Sequence, residues 1–592
     1  MCGIVGLMTR DGASPDSKLL SQMTASISHR GPDGEGRYIA RGTALAQVRL
    51  AIIDLQTGDQ PIHEPGGAAL VANAEIYNYR ELRKGLPEVN FSSNSDCEPP
   101  LHLYRKYGSD FAQHLRGMYA IAIYDAAKDC LLLARDPFGI KPLYYFEANN
   151  FFAFSSEPRA FLAANIVPYG LEKQHREELL QLQFTCGRET IFPKVHRVLP
   201  GETLIVRDGR IIERQKIDML PREQQGQTHK ISQSEALQQL DRTLEESVQL
   251  HQRSDVPYGL FLSGGVDSSA ILALMARLNE HPVRAFTIGF SNTSVNDERD
   301  HARMVAKSVG AEHLEVEFSE ADFWNYLPQV AATVDDPTAD YAILPTWKLA
   351  REAAQELKVV LCGEGGDELF AGYGRYRSQL RPWWLGGRTL RSRGILDGLG
   401  ILRSEPKSWR DPINSAQTDA TLQHRTRLQI AQATDCTDWL PNDLLTKLDR
   451  CLMTHGLEGR TPFLDREVAK VAFLLPDELK INKGLGKWLL RQWLEKVLPE
   501  ARPFERKRGF TVPVGEWIRR KGEKLGPLVA AHPALAEICH SNRVEKLFRS
   551  TDRRAGNAAW VLLFYVLWHN GMSGEKSGEG DVFESLSQTT IV

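Results

Sequence analysis

Hydrophobic and polar positions change their periodicity once along the chain, near residue 210. Before that point, short apolar runs of β type at residues 118–124 and 130–134 are separated by a polar turn, and helical stretches fall at 19–27 and 98–107. Short strands mixed with helices predict an α+β domain over residues 1–210. The polar residues that follow, 211–231, are interpreted as a linker.

Strands and helices alternate in the second half of the chain. Ser232 and Glu235 have the spacing of a capping box, and they precede an apolar helix face made of Leu237, Leu240, Leu244 and Val248. Strands are then predicted at 258–262, 283–290, 313–317 and 358–361, with helices at 270–278 and 298–309. This alternation predicts an α/β domain with a parallel sheet over residues 232–572, which becomes helical after about residue 371. The polar residues 573–592 are expected to form a disordered tail.

Composition and charge argue against several classes of protein. The 592 residues carry 72 Lys and Arg against 75 Asp and Glu, so no nucleic-acid partner is expected. The longest apolar run, residues 558–568, would span about 17 Å as a helix, against about 30 Å of bilayer hydrocarbon; it predicts a buried core helix and no membrane partner. The eight cysteines are scattered without a Cys-x-x-Cys pair, and no targeting segment is visible, so we expect a cytoplasmic protein.

Residues 375–410 form a local basic segment, with eight Arg and one Lys against two acidic residues. One interpretation is a patch that binds polyphosphate or nucleic acid. The other is a solvated helical face with ion pairs to neighbouring helices. The second is favoured because the segment has no aromatic residues at a regular stacking interval.

Cys2 is the first candidate for chemistry. Met1 precedes a small residue, so its removal is expected, and Cys2 would then carry a thiol beside an α-amine that can take the thiol proton. A buried structural thiol is the alternative. Further segments favour the nucleophile: CGIVG at 2–6, HRGPDG at 29–34, RLAIID at 49–54, NAEIYN at 73–78, SDCE at 95–98 and RDPFG at 135–139. Together they resemble the glutaminase domain of N-terminal-nucleophile amidotransferases, which implies stacked antiparallel sheets between helices.

The resemblance implies a role for each of these segments. Arg49 would bind the carboxylate of glutamine by a bidentate fork, and Asp96 with Glu75 would bind its ammonium. The side chain of Asn73 and the backbone N–H of Ala74 would stabilise the tetrahedral oxyanion. The implied glutamine-binding segment also includes Leu50, Ile52 and Ile53. The family has Gly where this chain has Ala74, so the backbone angle at residue 74 decides whether the site is intact.

Two glycine-containing loops carry the candidate chemistry of the second half. The first, SGGVDSS at 263–269, lies between a predicted strand and a helix; its backbone N–H groups and the helix N-terminus suit an anion. It looks like the pyrophosphate loop of ATP pyrophosphatases. In the second loop, CGEGGDE at 362–368, Glu364 is in the position of a general base. Asp267 and Asp367 suit Mg²⁺, and Lys487 suits the α-phosphate. For the second loop, the alternative is a glycine-rich turn with an acidic helix cap and no catalytic role. For Lys487, the alternative is an exposed lysine at the start of a helix.

With DDPTAD at 335–340, LEGRTPFLD at 457–465 and KRGF at 507–510, these loops resemble the glutamine-hydrolysing asparagine synthetase family over about residues 1–520. The resemblance implies Mg²⁺ as cofactor, the substrates ATP, glutamine and aspartate, an internal passage for ammonia, and a homodimer. It assigns ATP and pyrophosphate to Phe261, Leu262, Ser263, Gly264, Gly265, Asp267, Ser268, Ser269, Ile288, Cys362 and Gly363. The residues leave open another acceptor carboxylate, and a non-catalytic regulator that binds glutamine or nucleotide.

Overall fold

The structure, a computed structural model, describes residues 2–221, 231–291, 293, 297–385, 387–505, 512–574 and 580–589. The strands of its first part are β1 Gly3–Thr9, β2 Gly34–Ala40, β3 Thr43–Arg49, β4 Ile62–His63, β5 Ala68–Ile76, β6 Gly117–Asp125, β7 Cys130–Arg135, β8 Tyr144–Glu147, β9 Phe151–Ser155, β10 Val195–Arg197, β11 Glu202–Arg207 and β12 Arg210–Lys216. The α-helices of this part are α1 Ser17–Ser26, α2 Tyr79–Lys84, α3 Pro99–Tyr107, α4 Arg159–Ala163 and α5 Lys173–Leu182.

These strands form two antiparallel sheets that pack face to face. One sheet has the order β10-β8-β9-β1-β3-β2 and the other β12-β11-β7-β6-β5-β4. Alternate side chains of β1 divide between two cores: Ile4 meets Leu133 and other residues of the second sheet, whereas Val5 faces the core that includes Leu20 of α1. Each sheet thus buries both faces, as the α+β prediction requires.

The second part of the chain is built on one parallel sheet. Its strands are β13 Tyr258–Phe261, β14 Arg284–Phe290, β15 Glu312–Phe318, β16 Val359–Leu361 and β17 Glu458–Arg460, in the order β15-β14-β13-β16-β17. The strand order reverses direction between β13 and β16, which are neighbours at the centre of the sheet. Ligands in parallel sheets bind beyond the carboxyl ends of strands at such a point. Both predicted glycine loops begin there.

Helices surround this sheet and dominate the chain after residue 371. They are α6 Gln233–His251, α7 Val266–Leu278, α8 Arg299–Ser308, α9 Glu320–Thr333, α10 Ile343–Ala353, α11 Gly366–Leu369, α12 Gly374–Leu380, α13 Asp411–Thr421, α14 Arg427–Thr434, α15 Thr446–Met453, α16 Arg466–Leu474, α17 Asp477–Lys480, α18 Trp488–Val497, α19 Val514–Arg520, α20 Gly522–Ala531, α21 Pro533–Ala536, α22 Ser541–Phe548, α23 Arg553–Ser573 and α24 Val582–Thr589. A π-helix, Asp435–Leu445, leads into α15.

Two local predictions are confirmed by this arrangement. Ser232 caps α6, because its Oγ accepts from Glu235 N at 3.2 Å while Glu235 Oε2 accepts from Ser232 N at 3.0 Å. The apolar run at 558–568 lies inside α23 with its side chains buried. Among the described residues, no helix combines the length and the apolar character that crossing a bilayer would require.

The predicted linker and tail differ from the structure at their boundaries. Residues 211–216 belong to β12, an edge strand that pairs with β11. Its sequence is polar because one side of an edge strand faces solvent, and charged residues there prevent further pairing. In the predicted tail, Val582 and Leu586 bury one face of α24, so that stretch is helical rather than disordered. Residues 222–230, where the rest of the predicted linker falls, lie outside the described residues.

The basic segment 375–410 forms ion pairs but not a continuous helical face. Among its described residues, α-helix is confined to Gly374–Leu380. Arg375 and Arg391 bind Asp435 at 2.7 and 3.4 Å and lie over the rings of Tyr373 and Trp439. The expected contacts to a neighbouring helical segment are present, and the expected uninterrupted helix is not, because the backbone after residue 380 is irregular.

The two parts of the chain share hydrophobic cores and a buried ionic contact. Arg30, fully buried, donates to Glu157 Oε1 at 2.7 Å and to both oxygens of Asp449 at 2.7 and 2.9 Å. Asp449 belongs to α15 of the second part, and it also accepts from Arg450 at 2.8 Å. These buried charges fix the position of the two parts relative to each other, because water cannot replace the partner that either charge would lose.

Replacing Arg30 by Met is expected to lower the free energy of unfolding by about 3 kcal/mol, since the loss leaves buried carboxylates undercompensated. The value falls at the low end of the range for broken buried pairs because Arg450 still reaches Asp449. Urea unfolding followed by circular dichroism measures it. The matched control is Arg10→Met: Arg10 pairs with Glu147 at 3.3 Å on the surface, and its loss should cost less than about 1 kcal/mol. Equal shifts in the two variants would contradict this account of the interface.

Candidate active site

Cys2 lies at the start of β1 with its side chain buried. Its nitrogen donates to Asn73 Oδ1 at 3.2 Å, and its carbonyl accepts from Arg30 Nε at 3.2 Å. Burial raises the pKa of the Cys2 thiol, and a hydrogen bond from the backbone N–H of Leu50 opposes that rise. A thiol with a raised pKa is neutral near pH 7, so it needs an adjacent base to become a nucleophile.

Asn73 and Ala74 lie side by side in β5 with geometry that suits an oxyanion. Asn73 is fully buried, and its Nδ2 has no hydrogen-bond partner among the described residues. An unsatisfied buried amide is costly unless a ligand completes it. Ala74 pairs with Tyr119 in the regular register of β5 and β6, and its φ is not positive. An alanine therefore fits at this position without backbone strain.

Three of the residues predicted to bind glutamine already have protein partners. Asp96 accepts from Ile76 N at 2.7 Å, and burial raises its pKa to about 6. Arg49 donates to Asp59 Oδ1 at 2.6 Å, and the Asp59 side chain is 83% exposed. Glu75 accepts from Arg460 Nη2 at 2.9 Å. Leu50, Ile52 and Ile53 follow β3 as a buried segment.

Arg460 connects the two halves of the molecule, which sequence reasoning missed. It lies at the end of β17, and its guanidinium reaches Glu75 of β5 while its carbonyl accepts from Cys362 N at 2.8 Å. Cys362 opens the second glycine loop, two residues before Glu364. Arg460 thus contacts both the half that contains Cys2 and the half that contains the two glycine loops. Arg460 belongs to the motif LEGRTPFLD, which can be recognised in the sequence. The sequence contains no sign that Arg460 contacts Glu75, which lies 385 positions earlier.

The two glycine loops meet at one cavity of about 620 Å³. Gly264 has φ +70°, which turns the first loop ahead of α7. Gly363 of the second loop faces it so closely that a Cβ would lie 3.1 Å from Asp267 Cβ. The loops are therefore in contact: the positive φ of Gly264 favours glycine there, and the space at Gly363 is tight for any side chain.

Nearly all the residues predicted for the nucleotide chemistry line this cavity. They are Phe261, Leu262, Ser263, Gly264, Gly265, Asp267, Ser268, Ile288, Cys362, Gly363, Glu364, Asp367 and Lys487. Ser269 is the exception, because it is fully buried within α7 behind the loop. Burial raises the pKa of Glu364, which moves that carboxyl toward the range useful for a general base.

Lys487 bridges the two aspartates of the loops. Its Nζ contacts Asp267 Oδ2 and lies 2.7 Å from Asp367 Oδ1. Two carboxylates that reach one ammonium are close enough to share a divalent cation, and Mg²⁺ is commonly held by one or two carboxylates plus substrate phosphates. No cluster of three or more metal-ligating side chains occurs in the described ranges. The donor set thus fits Mg²⁺ bound together with a polyphosphate.

A second charged pair on the cavity wall was not predicted. Lys447 of α15 lies 2.6 Å from Asp340, through its Nζ and Oδ2, and both residues line the cavity with Glu364. Asp340 ends the DDPTAD motif, whose role the sequence left unassigned. The pairing is invisible in the sequence because 107 positions separate its members.

Comparison with known proteins gives one family match for each of the two parts of the chain. The family model described as asparagine synthase matches residues 239–570, and the one described as glutamine amidotransferase domain matches residues 1–216. The chain belongs to the asparagine synthase family. Asparagine synthetase [glutamine-hydrolyzing] 1 of Bacillus subtilis is 31% identical over 96% of both chains. A putative asparagine synthetase of Mycobacterium tuberculosis H37Rv is 32% identical over 96% of this chain and 97% of that one.

Membership of the asparagine synthase family confirms the predicted resemblance and the predicted fold class. The match to the glutamine amidotransferase domain ends at residue 216, which is also the last residue of β12. The relatives are not uniform in name: amidase chry2 of Gibberella zeae is 32% identical over 92% of this chain and 93% of its own length. The asparagine synthase architecture is therefore shared by proteins that are named for different activities.

Proposed function

We propose that this member of the asparagine synthase family converts aspartate to asparagine, with ATP and with ammonia released from glutamine. The observation that carries the proposal is the single cavity that gathers both glycine loops, Glu364 and Lys487. An activating site for a carboxylate needs an anion cradle, a cation at the α-phosphate and a base, and these residue types meet there.

In the glutaminase half, Cys2 attacks the amide carbon of glutamine after its own α-amine takes the thiol proton. The unsatisfied Nδ2 of Asn73 and the N–H of Ala74 donate to the oxyanion. Ammonia leaves, and water hydrolyses the thioester to glutamate. Arg49 binds the substrate carboxylate by exchanging the exposed Asp59 for it, and Asp96 binds the ammonium when ionised.

In the synthetase half, the β-carboxylate of aspartate attacks the α-phosphorus of ATP, giving β-aspartyl-AMP and pyrophosphate. Lys487 neutralises charge that develops on the α-phosphate, and the N–H groups around Gly264 hold the pyrophosphate. Asp267 and Asp367 would hold Mg²⁺, which neutralises phosphate charge when bound. Ammonia then displaces AMP while Glu364 accepts the proton that the attacking nitrogen loses.

Ammonia passes inside the protein between the two half-sites in this proposal. Free ammonia is mostly protonated at neutral pH, so release to solvent would waste the nucleophile. The contacts from Glu75 through Arg460 to Cys362 show that buried residues of the two halves adjoin, which is compatible with a short internal route. Eight buried cysteines without disulfides among the described residues suit the reducing cytoplasm proposed for the enzyme. The homodimer stays a prediction.

A second candidate function is amidation of a different carboxylate by the same chemistry. The glycine loops and Lys487 suit adenylation, and Cys2 suits the release of ammonia, but none of these features specifies the rest of the acceptor. Relatives named amidase, chry2 among them, extend over most of this chain. Their presence makes the acceptor the point to test.

Pyrophosphate release measured over a panel of carboxylic acids tests the proposal directly. With ATP, Mg²⁺ and either glutamine or ammonium chloride, aspartate should give release and asparagine should accumulate in equal amount. The panel includes glutamate, a dipeptide with a free carboxylate, and a sugar acid. Release with one of these acids and none with aspartate would replace aspartate by that acceptor. No release with any acid, with Cys2 still hydrolysing glutamine, would refute the synthetase assignment.

A further inference from the structure

The cavity contains an opposite-charge pair that the nucleotide chemistry does not use. Asp340 precedes α10, where its Oδ1 accepts from Ala342 N at 3.0 Å, and Lys447 is the second residue of α15. Their side chains are 15% and 8% exposed, and the exposed part belongs to the cavity wall. An ion pair buried at such a wall is poorly hydrated, so a ligand that brings complementary charges replaces little water.

The pair lies beside the group assigned to amide formation. The Lys447 charge opposes the rise in the pKa of Glu364 that burial causes, and Asp340 acts on the same carboxyl in the opposite sense. Asp340, Lys447 and Glu364 therefore lie near one another on the wall of the cavity that the loop at Gly264 also lines. An acceptor whose carboxylate is activated beside Glu364 would have its remaining groups within reach of this pair, because all three residues line one cavity.

The chemistry of the pair selects one class of acceptor. A carboxylate and an ammonium side by side complement a ligand that carries an ammonium and a carboxylate on one carbon. Free α-amino acids have both groups, whereas a sugar acid has no ammonium and an internal peptide residue has neither. Lys447 keeps two donors after binding Asp340, and Asp340 keeps lone pairs on both oxygens.

We propose that Asp340 and Lys447 form the subsite for the α-ammonium and the α-carboxylate of the acceptor, and that they restrict the enzyme to free amino acids. Asp340 accepts hydrogen bonds from the α-ammonium, and Lys447 donates to the α-carboxylate. The subsite rests on the proposed function of the same cavity, because it positions the acceptor whose other carboxylate is adenylated. Both residues determine specificity and neither takes part in bond making.

Ammonium-driven pyrophosphate release with three acids tests the subsite. Succinate lacks the α-ammonium of aspartate, and β-alanine lacks its α-carboxylate. Wild type should prefer aspartate strongly over both. In Asp340→Asn the preference for aspartate over succinate, as the ratio of kcat/KM, should fall about ten- to a hundredfold, the effect of losing a hydrogen bond between charged groups. In Lys447→Met the preference over β-alanine should fall by a similar factor.

Matched controls come from a second Asp–Lys pair away from the cavity. Lys348 and Asp322 join α10 to α9 at 2.8 Å, with side chains 14% and 17% exposed. Lys348→Met and Asp322→Asn should leave both preference ratios unchanged. The KM for ATP and the hydrolysis of glutamine report whether each variant is folded. If Lys447→Met does not fold, the isosteric Asp340→Asn variant alone tests the subsite.

The possible results separate the subsite from the proposed function. Unchanged ratios in active Asp340→Asn and Lys447→Met would overturn the subsite while aspartate remained the substrate. If another amino acid were used instead of aspartate, the proposed function would fail, and the ratios measured with that acid and its deamino analogue would decide the subsite. If the preferred acceptor carried neither an α-ammonium nor an α-carboxylate, the subsite would be refuted outright.

Discussion

Replacing Cys2 by Ala is expected to abolish glutamine-dependent synthesis while ammonium-dependent synthesis continues. Loss of a catalytic nucleophile lowers turnover by about a thousandfold or more, because no other group can form the covalent intermediate. The parallel sheet and its cavity lie in the other half of the chain, and a methyl group in place of the thiol disturbs no partner there. Glutamate formation and pyrophosphate release, measured with each nitrogen source, give the two activities.

Cys97→Ala is the matched control for Cys2→Ala. Its thiol is also buried in the same half, with Sγ 3.9 Å from the carbonyl of Ala74. Burial raises the pKa of Cys97 well above its ordinary value, and the charges of Asp96 and Glu75 raise it further. This thiol is inert at neutral pH, so glutaminase activity should persist. Loss of ammonium-dependent synthesis in Cys2→Ala would contradict the division of labour between the two halves.

The part of the fold that follows local rules was predictable from the sequence. The strand expected at 118–124 appears as Gly117–Asp125, and the helix expected to begin at Ser232 does so through its capping box. Each depends on residues a few positions apart. The edge strand β12 was missed for the opposite reason: its polar composition, which protects an edge from further pairing, resembles that of a linker.

The active site was predictable in its loops and unpredictable in its partnerships. Glycine loops can be recognised in a sequence, because the residues that bend the backbone and those suited to bind phosphate are adjacent. The contacts of Arg460 with Glu75 and of Lys447 with Asp340 have no periodic signature, since they form only when distant segments fold together. Buried ion pairs between residues far apart in the sequence are therefore the features that required the structure.

Replacing Lys487 by Met is expected to lower kcat for pyrophosphate release about a hundred- to a thousandfold, with glutamine and with ammonium alike. The side chain of Lys487 is 2% exposed and lines the cavity in which we propose that the α-phosphate gains charge. An interaction that strengthens in the transition state affects kcat more than the KM for ATP. Steady-state kinetics with ATP varied at saturating aspartate measures both.

Lys483→Met is the matched control for Lys487→Met. Lys483 lies four residues earlier in the same turn and also has a left-handed backbone, but its side chain is exposed beside Trp488. It should retain full activity. A rise in the KM for ATP with kcat unchanged in Lys487→Met would show that Lys487 binds the ground state and the transition state equally, contrary to its proposed role.

The dependence on Mg²⁺ separates the electrostatic role of Lys487 from damage to the fold. Without the ammonium of Lys487, Asp267 and Asp367 lose the cation that both of them contact, so the repulsion between their carboxylates increases. A divalent cation relieves that repulsion, so Lys487→Met should reach half of its residual activity at a lower Mg²⁺ concentration than wild type. A general loss of structure would weaken metal binding as well as catalysis. A low kcat combined with a lower Mg²⁺ requirement therefore follows from the position of one ammonium between two carboxylates.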